Sequence, residues 1–253
     1  MTEPLEPVTE KDRRDELAAN LEAVERRIGD ACAAAGRDRS EVTLVVVTKT
    51  YPASDVRLLA GLGVRNVAEN RDQEAAAKAA ECSDLPLTWH FVGQLQTNKV
   101  RSVTDYADVV HSVDRGRLVT ALSSAAQRQG RELDCLLQVA LDKEAGGGEA
   151  PAGAGRGGVA PDAVLELAEQ VRAAPRLRLA GLMTVAPLAG PFAGRPGAAF
   201  ERLMEISRSL RTLEPTANMV SAGMSSDLEE AVAAGATHVR VGSAVLGVRP
   251  RLR

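Results

Sequence analysis

Only five of the 31 basic residues are lysines: Lys11, Lys49, Lys78, Lys99 and Lys143. Arginine fills nearly every other cationic position, so a retained lysine marks a task that guanidinium does not do. Lys49 closes the run Val42-Thr-Leu-Val-Val-Val-Thr48. That run is short, β-branched and apolar, as expected of a strand buried on both faces. An amine at the end of such a strand is partly desolvated, which disfavours its charged form. A neutral amine can attack an aldehyde and form a Schiff base. The competing reading is a salt-bridged lysine at the strand end.

Two segments near the C-terminus have the composition of anion cradles: Ser221-Ala-Gly-Met-Ser-Ser-Asp227 and Val241-Gly-Ser-Ala244. Each leads from a strand pattern into a helical one. Glycine lets backbone approach a ligand, serine offers a hydroxyl, and helix N-termini present unpaired N–H groups, a combination that binds phosphate. For each serine alone, helix capping by Ser225 or Ser243 is the alternative. Arg240 lies between Val239 and Val241, one residue before a strand end. Pointing inwards, its permanently charged guanidinium could face a ring nitrogen; strand parity equally allows an outward arginine.

These groups need a frame. Glu10 to Ala35 reads as one amphipathic helix, with Leu17, Leu21, Val24 and Ile28 at helical spacing. Strand patterns follow at 42–48, 64–67, 87–92, 108–112, 133–141, 177–183, 218–221 and 237–241. Helical patterns lie at 71–81, 98–104, from Asp114 as N-cap to 129, and at 161–173, 197–213 and 227–234, with a helical turn at the end. Eight alternating units imply a parallel sheet and favour a single (β/α)8 TIM barrel with an additional N-terminal helix. A doubly wound open sheet is the runner-up. The N-terminal helix is expected to cover the barrel's bottom or to mediate pairing. Residues 1–9 and the Gly-rich 144–158 are expected to be flexible, and 1–253 to form one domain.

In a parallel barrel, active groups gather where strands end. Those places hold Lys49, Asn70, His90, Gln94, Ser112, Met183, Ser221, Gly223, Gly242 and Ser243. A lysine amine, a phosphate cradle and a ring-nitrogen partner together match a phosphorylated, aldehyde-bearing pyridine, pyridoxal 5′-phosphate. Composition narrows the classes further. Lys plus Arg number 31 against 34 Asp plus Glu, net -3, and aromatics are scarce, which argues against nucleic-acid binding. No 18-residue apolar run or signal peptide is present, so no membrane partner is expected. Cys32, Cys82 and Cys135 are few and far apart. They fit a reducing, cytoplasmic setting and small hydrophobic roles rather than nucleophiles.

Several stretches carry a family resemblance. They are Val47-Thr-Lys-Thr50, Glu69-Asn70 with Gln73-Glu74, Trp89-His-Phe-Val-Gly-Gln-Leu-Gln-Thr-Asn-Lys99 and His111-Ser-Val-Asp114. Arg178-Leu-Ala-Gly-Leu-Met183, Ser221 to Asp227 and His238-Val-Arg-Val-Gly-Ser-Ala-Val-Leu-Gly247 complete the set. With them the chain resembles the YggS/PROSC family of pyridoxal phosphate homeostasis proteins, relatives of the N-terminal barrel of bacterial alanine racemase. The resemblance implies that Lys49 carries pyridoxal 5′-phosphate as an internal aldimine. It implies that Ser221, Ser225, Gly242 and Ser243 surround the phosphate, that Arg240 faces the pyridine nitrogen, and that Asn70 and Met183 line the ring pocket. Departures from the family pattern are Ala68, Arg71, Ser243 and the loop ending Arg156-Gly-Gly-Val159. His90 reads as a hydrogen-bonded barrel histidine and Lys99 as surface or helix-terminal.

The implied function is a non-catalytic carrier in pyridoxal phosphate homeostasis that may pass cofactor to apo-enzymes dependent on it. An amino-acid racemase of the alanine racemase type is the alternative. It would need an acid/base on each cofactor face, and Tyr51 and Tyr106, the only tyrosines, lie outside matching contexts. The chain also ends shortly after the last strand, where racemases continue into a second domain. A cofactor-free Schiff-base aldolase would use Lys49 but leave Arg240 without a task.

Overall fold

The structure is a computed structural model that describes residues 9–143 and 157–247. Of the stretches expected to be flexible, only Thr9, Gly157 and Gly158 fall within these; the rest lies outside the described residues. Eight parallel strands close into a barrel in sequence order, with β1 (Thr43–Val47) returning to pair with β8 (His238–Val241). The intervening strands are β2 (Asn66–Glu69), β3 (Thr88–Phe91), β4 (Val109–Val113), β5 (Leu133–Gln138), β6 (Leu177–Met183) and β7 (Met219–Ser221). The barrel, not the open sheet, is therefore the fold.

The helices are α1 (Glu10–Ala34), α2 (Ala53–Gly61), α3 (Asp72–Glu81), α4 (Val100–Tyr106) and α5 (Gly116–Gln129). They continue with α6 (Val164–Ala173), α7 (Pro196–Leu213), α8 (Leu228–Ala234) and the short α9 (Ser243–Leu246). Three local details depart from the sequence reading. That reading places no helix between the first two strands, yet α2 occupies the gap and buries Val56, Leu59 and Ala60. The strand expected at Val64 begins at Asn66, because the Val64 N–H closes the end of α2 on the Leu59 carbonyl at 3.0 Å. Asp114 does not cap α5; Arg115 is the N-cap, and the Asp114 carboxylate pairs with the Arg115 guanidinium.

α1 starts from a capping box between Thr9 and Asp12 and buries Leu17, Val24 and Ile28. Each such side chain stabilises the fold by about 1.5–3 kcal/mol. The helix lies along the outer ring where β8 meets β1, rather than under the barrel. Arg27 pairs with Glu229 and donates to the Ser225 carbonyl, Asn20 donates to the Val245 carbonyl, and Arg13 holds Asp55 and the Leu246 carbonyl.

Two large apolar clusters fill the space between strands and helices. A third, of Val109, Leu136, Ala180 and Met183 with Met219 and Val185, lies apart from both and fills one half of the barrel interior. Its membership depends on a bulge in β6. The register slips between the pairs Cys135/Leu179 and Leu136/Gly181, so one extra residue enters β6. Ala180 and Met183 then both face inwards while Leu179 and Leu182 join the outer cluster. Gly181 makes this possible: its φ is 153°, and a side chain there would overlap the Met219 carbonyl.

Candidate functional site

Lys49 sits in the turn just beyond β1, half-buried. Among the described residues no hydrogen bond or ion pair engages its amine, so the salt-bridged reading does not hold. Its flanking residues are tightly fixed. Thr48 is fully buried and its hydroxyl donates to Glu69 Oε1 at 2.6 Å. Thr50 has a φ of 70°, a left-handed conformation that disfavours a β-branched residue, and its N–H is held by the Glu74 carboxylate. Lys78 Nζ donates to the Thr48 carbonyl at 2.8 Å and to Glu69 Oε1 at 2.5 Å, with Glu74 at 3.7 Å. Burial pushes the Glu69 carboxyl up, against the opposing pull of Lys78 and Thr48.

The buried lysine of this protein is therefore Lys78, which the sequence reading missed. Its only local signal was a carboxylate four residues earlier in an Ala-rich helix. The clamp explains why Glu69 and Glu74 recur in the motif around Asn70: they fix the backbone on both sides of Lys49.

Arg240 points into the barrel and is almost completely buried. Its Nη1 donates to Ser221 Oγ at 2.6 Å and its Nη2 to the Thr184 carbonyl at 2.9 Å. Burial pushes the guanidinium down to about 10, with Asp227 opposing. No carboxylate forms an ion pair with it among the described residues. Ser221 Oγ also contacts His111 Nδ1 at 3.0 Å, and the residue has no exposed surface. This corrects one expectation: the Ser221 hydroxyl is committed to Arg240 and His111 and does not reach a phosphate. His90 is the hydrogen-bonded barrel histidine expected, between His111 at 2.8 Å and Asn66 at 3.0 Å. Burial, then His238, pushes His90 down to about 3; burial, then Arg240, pushes His238 down to about 4. His111 also falls well below its ordinary value through burial.

The other predicted residues surround this centre at the C-terminal ends of the strands. Met183 is buried and is the register partner of Ser221. Asn70 directly follows β2, and its Oδ1 is buried without a partner. Gly93 packs so closely on the Asn70 backbone that a side chain would overlap the Asn70 carbonyl, which accounts for the glycine after Trp89-His-Phe-Val92. Ser225 and Ser243 are not caps. The N-cap residues of α8 and α9 are Asp227 and Gly242, neither with a side-chain cap bond. Among the described residues no protein group is bonded to either hydroxyl; Ser225 is engaged only through its carbonyl. Val46 pairs with Val241, and a Cβ on Gly242 would stand 3.3 Å from the Val47 carbonyl. The β8 loop is thus pressed against the end of β1, two residues from Lys49.

Lys99 pairs with Asp72 at 3.9 Å near the start of α4, as a helix-terminal lysine. All three cysteines are buried and free, and burial pushes Cys135 up to about 12. Trp89 packs edge-on to Tyr106. Among the described residues no group of His, Cys, Asp or Glu could hold a metal. What remains is a free amine, a cation without a counter-ion, an unpartnered amide oxygen and two unpartnered hydroxyls around one mouth. That donor set fits an aldehyde, a basic ring nitrogen and an anionic tail on one molecule.

Comparison with known proteins gives a consistent picture. The family described as alanine racemase, N-terminal domain, matches residues 15–250. A pyridoxal phosphate homeostasis protein of Mycobacterium tuberculosis is 42% identical, covering 96% of this chain and 96% of its own length. The PipY structure from Synechococcus elongatus with PLP bound is 34% identical at a TM-score of 0.76, covering 91% of this chain and 100% of PipY. Alanine racemase from Corynebacterium glutamicum, 17% identical at a TM-score of 0.63, covers 95% of this chain and 63% of the racemase, and shares the fold.

Proposed function

The chain belongs to the family of pyridoxal phosphate homeostasis proteins, and from that premise we propose that it binds pyridoxal 5′-phosphate at the barrel mouth and acts as a carrier in its homeostasis. Lys49 supplies the amine that anchors the aldehyde. Ser225, Gly242 and Ser243 hold the phosphate, Arg240 meets the ring nitrogen with Ser221 fixing it from below, and Asn70 and Met183 line the ring. When bound, the cofactor supplies an electrophilic aldehyde and an electron-withdrawing ring. Arg240 has N–H groups to donate and a charge it retains, so it favours an unprotonated ring nitrogen and a weaker electron sink. That suits storage better than amino-acid chemistry.

The observation that carries this reading is the unengaged Lys49 amine beside a buried arginine that has no carboxylate partner. Racemisation would need a second acid/base. Tyr51 is buried with its hydroxyl on the Gly247 carbonyl at 2.7 Å, and Tyr106 packs outside the barrel on Trp89. The reading extends to one functional domain over 1–253, to a cytoplasmic location and to delivery to apo-enzymes. No described helix is long and apolar enough to cross a membrane.

The absorbance spectrum of wild type beside Lys49→Ala tests the assignment. The visible band of bound cofactor is expected to vanish in Lys49→Ala while the circular dichroism spectrum is kept; an unchanged band removes Lys49 from its role. Rapid turnover of alanine or another amino acid by the purified protein would overturn the carrier reading.

A further inference from the structure

Five polar side chains link the strands across the barrel interior. Arg240 on β8 contacts Ser221 on β7; Ser221 contacts His111 on β4; His111 contacts His90 on β3; His90 contacts Asn66 on β2. The successive distances are 2.6, 3.0, 2.8 and 3.0 Å. Arg240, Ser221, His111 and His90 are all buried. We propose that His111 and His90 are positioning residues for Arg240, joined in a one-directional hydrogen-bond relay in which both rings are neutral and carry their proton on Nε2.

The direction follows from what each group can donate. A guanidinium only donates, so Ser221 Oγ accepts from Arg240. If the Ser221 hydroxyl then donates to His111 Nδ1, the His111 proton is on Nε2 and points to His90 Nδ1. The His90 proton is likewise on Nε2 and points to Asn66 Oδ1. Every proton in the chain has an acceptor. In the reverse direction Ser221 would accept from both neighbours, and its own proton would be stranded in a site without solvent, which is costly. The reverse direction would also turn the positive ends of the dipoles towards the guanidinium. The groups facing the relay are Arg240 and His238, whose ring is 6.5 Å from His90 and whose Nδ1 is taken up by Thr237 Oγ1 at 2.8 Å.

This relay does what a carboxylate would do in pinning Arg240, without neutralising it. Dipoles hold the cation, and its charge stays available to the ligand. That consequence rests on the proposed role of Arg240 at the ring nitrogen; the tautomer assignment does not.

Long-range proton–nitrogen correlation spectra of the ligand-free protein test the relay directly. Both His90 and His111 are expected as the neutral Nε2–H form at neutral pH. An Nδ1–H form or a charged ring at either position overturns the proposal. In a second arm, His111→Asn keeps an acceptor next to Ser221, whereas His111→Leu removes it. His111→Leu is expected to bind pyridoxal 5′-phosphate about tenfold more weakly with a shifted absorption maximum, and His111→Asn within about threefold of wild type. Equal affinity and an unshifted spectrum in His111→Leu would overturn the positioning role. If His111→Leu does not fold, the wild-type tautomers still decide. Absence of binding to wild type would remove the cofactor reading and leave the relay to the spectra alone.

Discussion

At Lys78 one ammonium serves the Thr48 carbonyl and the Glu69 carboxylate within a fully enclosed site. Removing it would leave Glu69 buried beside an unpartnered Oε2 of its own. Breaking a buried pair in this way typically costs about 3–5 kcal/mol, whereas replacing both partners costs far less. Lys78→Met is therefore expected to lower unfolding free energy by about 3–5 kcal/mol in urea. Lys78→Met with Glu69→Gln should recover part of that loss; a double variant as unstable as the single one would contradict the clamp. The two lysines also show what was legible. Lys49 could be found because it ends an apolar run, a local signal. Lys78 could not, because Thr48 and Glu69 reach it from two strands separated from it by 30 and 9 residues.

Among the elements, β6 is the instructive case. Its bounds, 177–183, match the sequence pattern, yet the pattern does not say which residues face inwards. Simple alternation would put Ala180 and Met183 on opposite faces. The bulge puts both inside, and with them the thioether expected to line the ring pocket. Gly181→Ala would set a methyl group against the Met219 carbonyl in a backbone conformation hostile to side chains. It is expected to destabilise by about 2 kcal/mol or more and to weaken cofactor binding, read by thermal melting and titration of the visible band. A variant with unchanged melting would show that β6 can close without the bulge. α2 and the late start of β2 were illegible for a related reason: whether Val64 ends a helix or opens a strand is decided by the hydrogen bond its N–H makes.

On the scale of the molecule, all three histidines sit in or beside the barrel interior and are held neutral by burial. In the unfolded chain each takes up a proton near 6.5, whereas in the barrel His90 does so at about 3 and His238 at about 4. Between those limits the unfolded chain binds more protons, so stability rises with pH and is lost as pH falls below 6.5. Each histidine contributes up to about 1.4 kcal/mol per pH unit in that window. Urea midpoints are expected to be level above pH 7, to drop steadily from 6.5 towards 4, and to drop less in His90→Asn. A midpoint constant down to pH 4.5 would mean that the histidines are not held neutral. The sequence by itself determined the eight-unit barrel, the reactive lysine, the two serine-glycine loops and the inward arginine's candidacy, because apolar periodicity and strand-end position are local properties of the chain. Only the tertiary structure decided that Ser221 serves Arg240 rather than an anion, that Lys78 anchors the turn around Lys49, and that two histidines bridge the interior. Those choices depend on register and a bulge, which bring together residues that are distant in the chain.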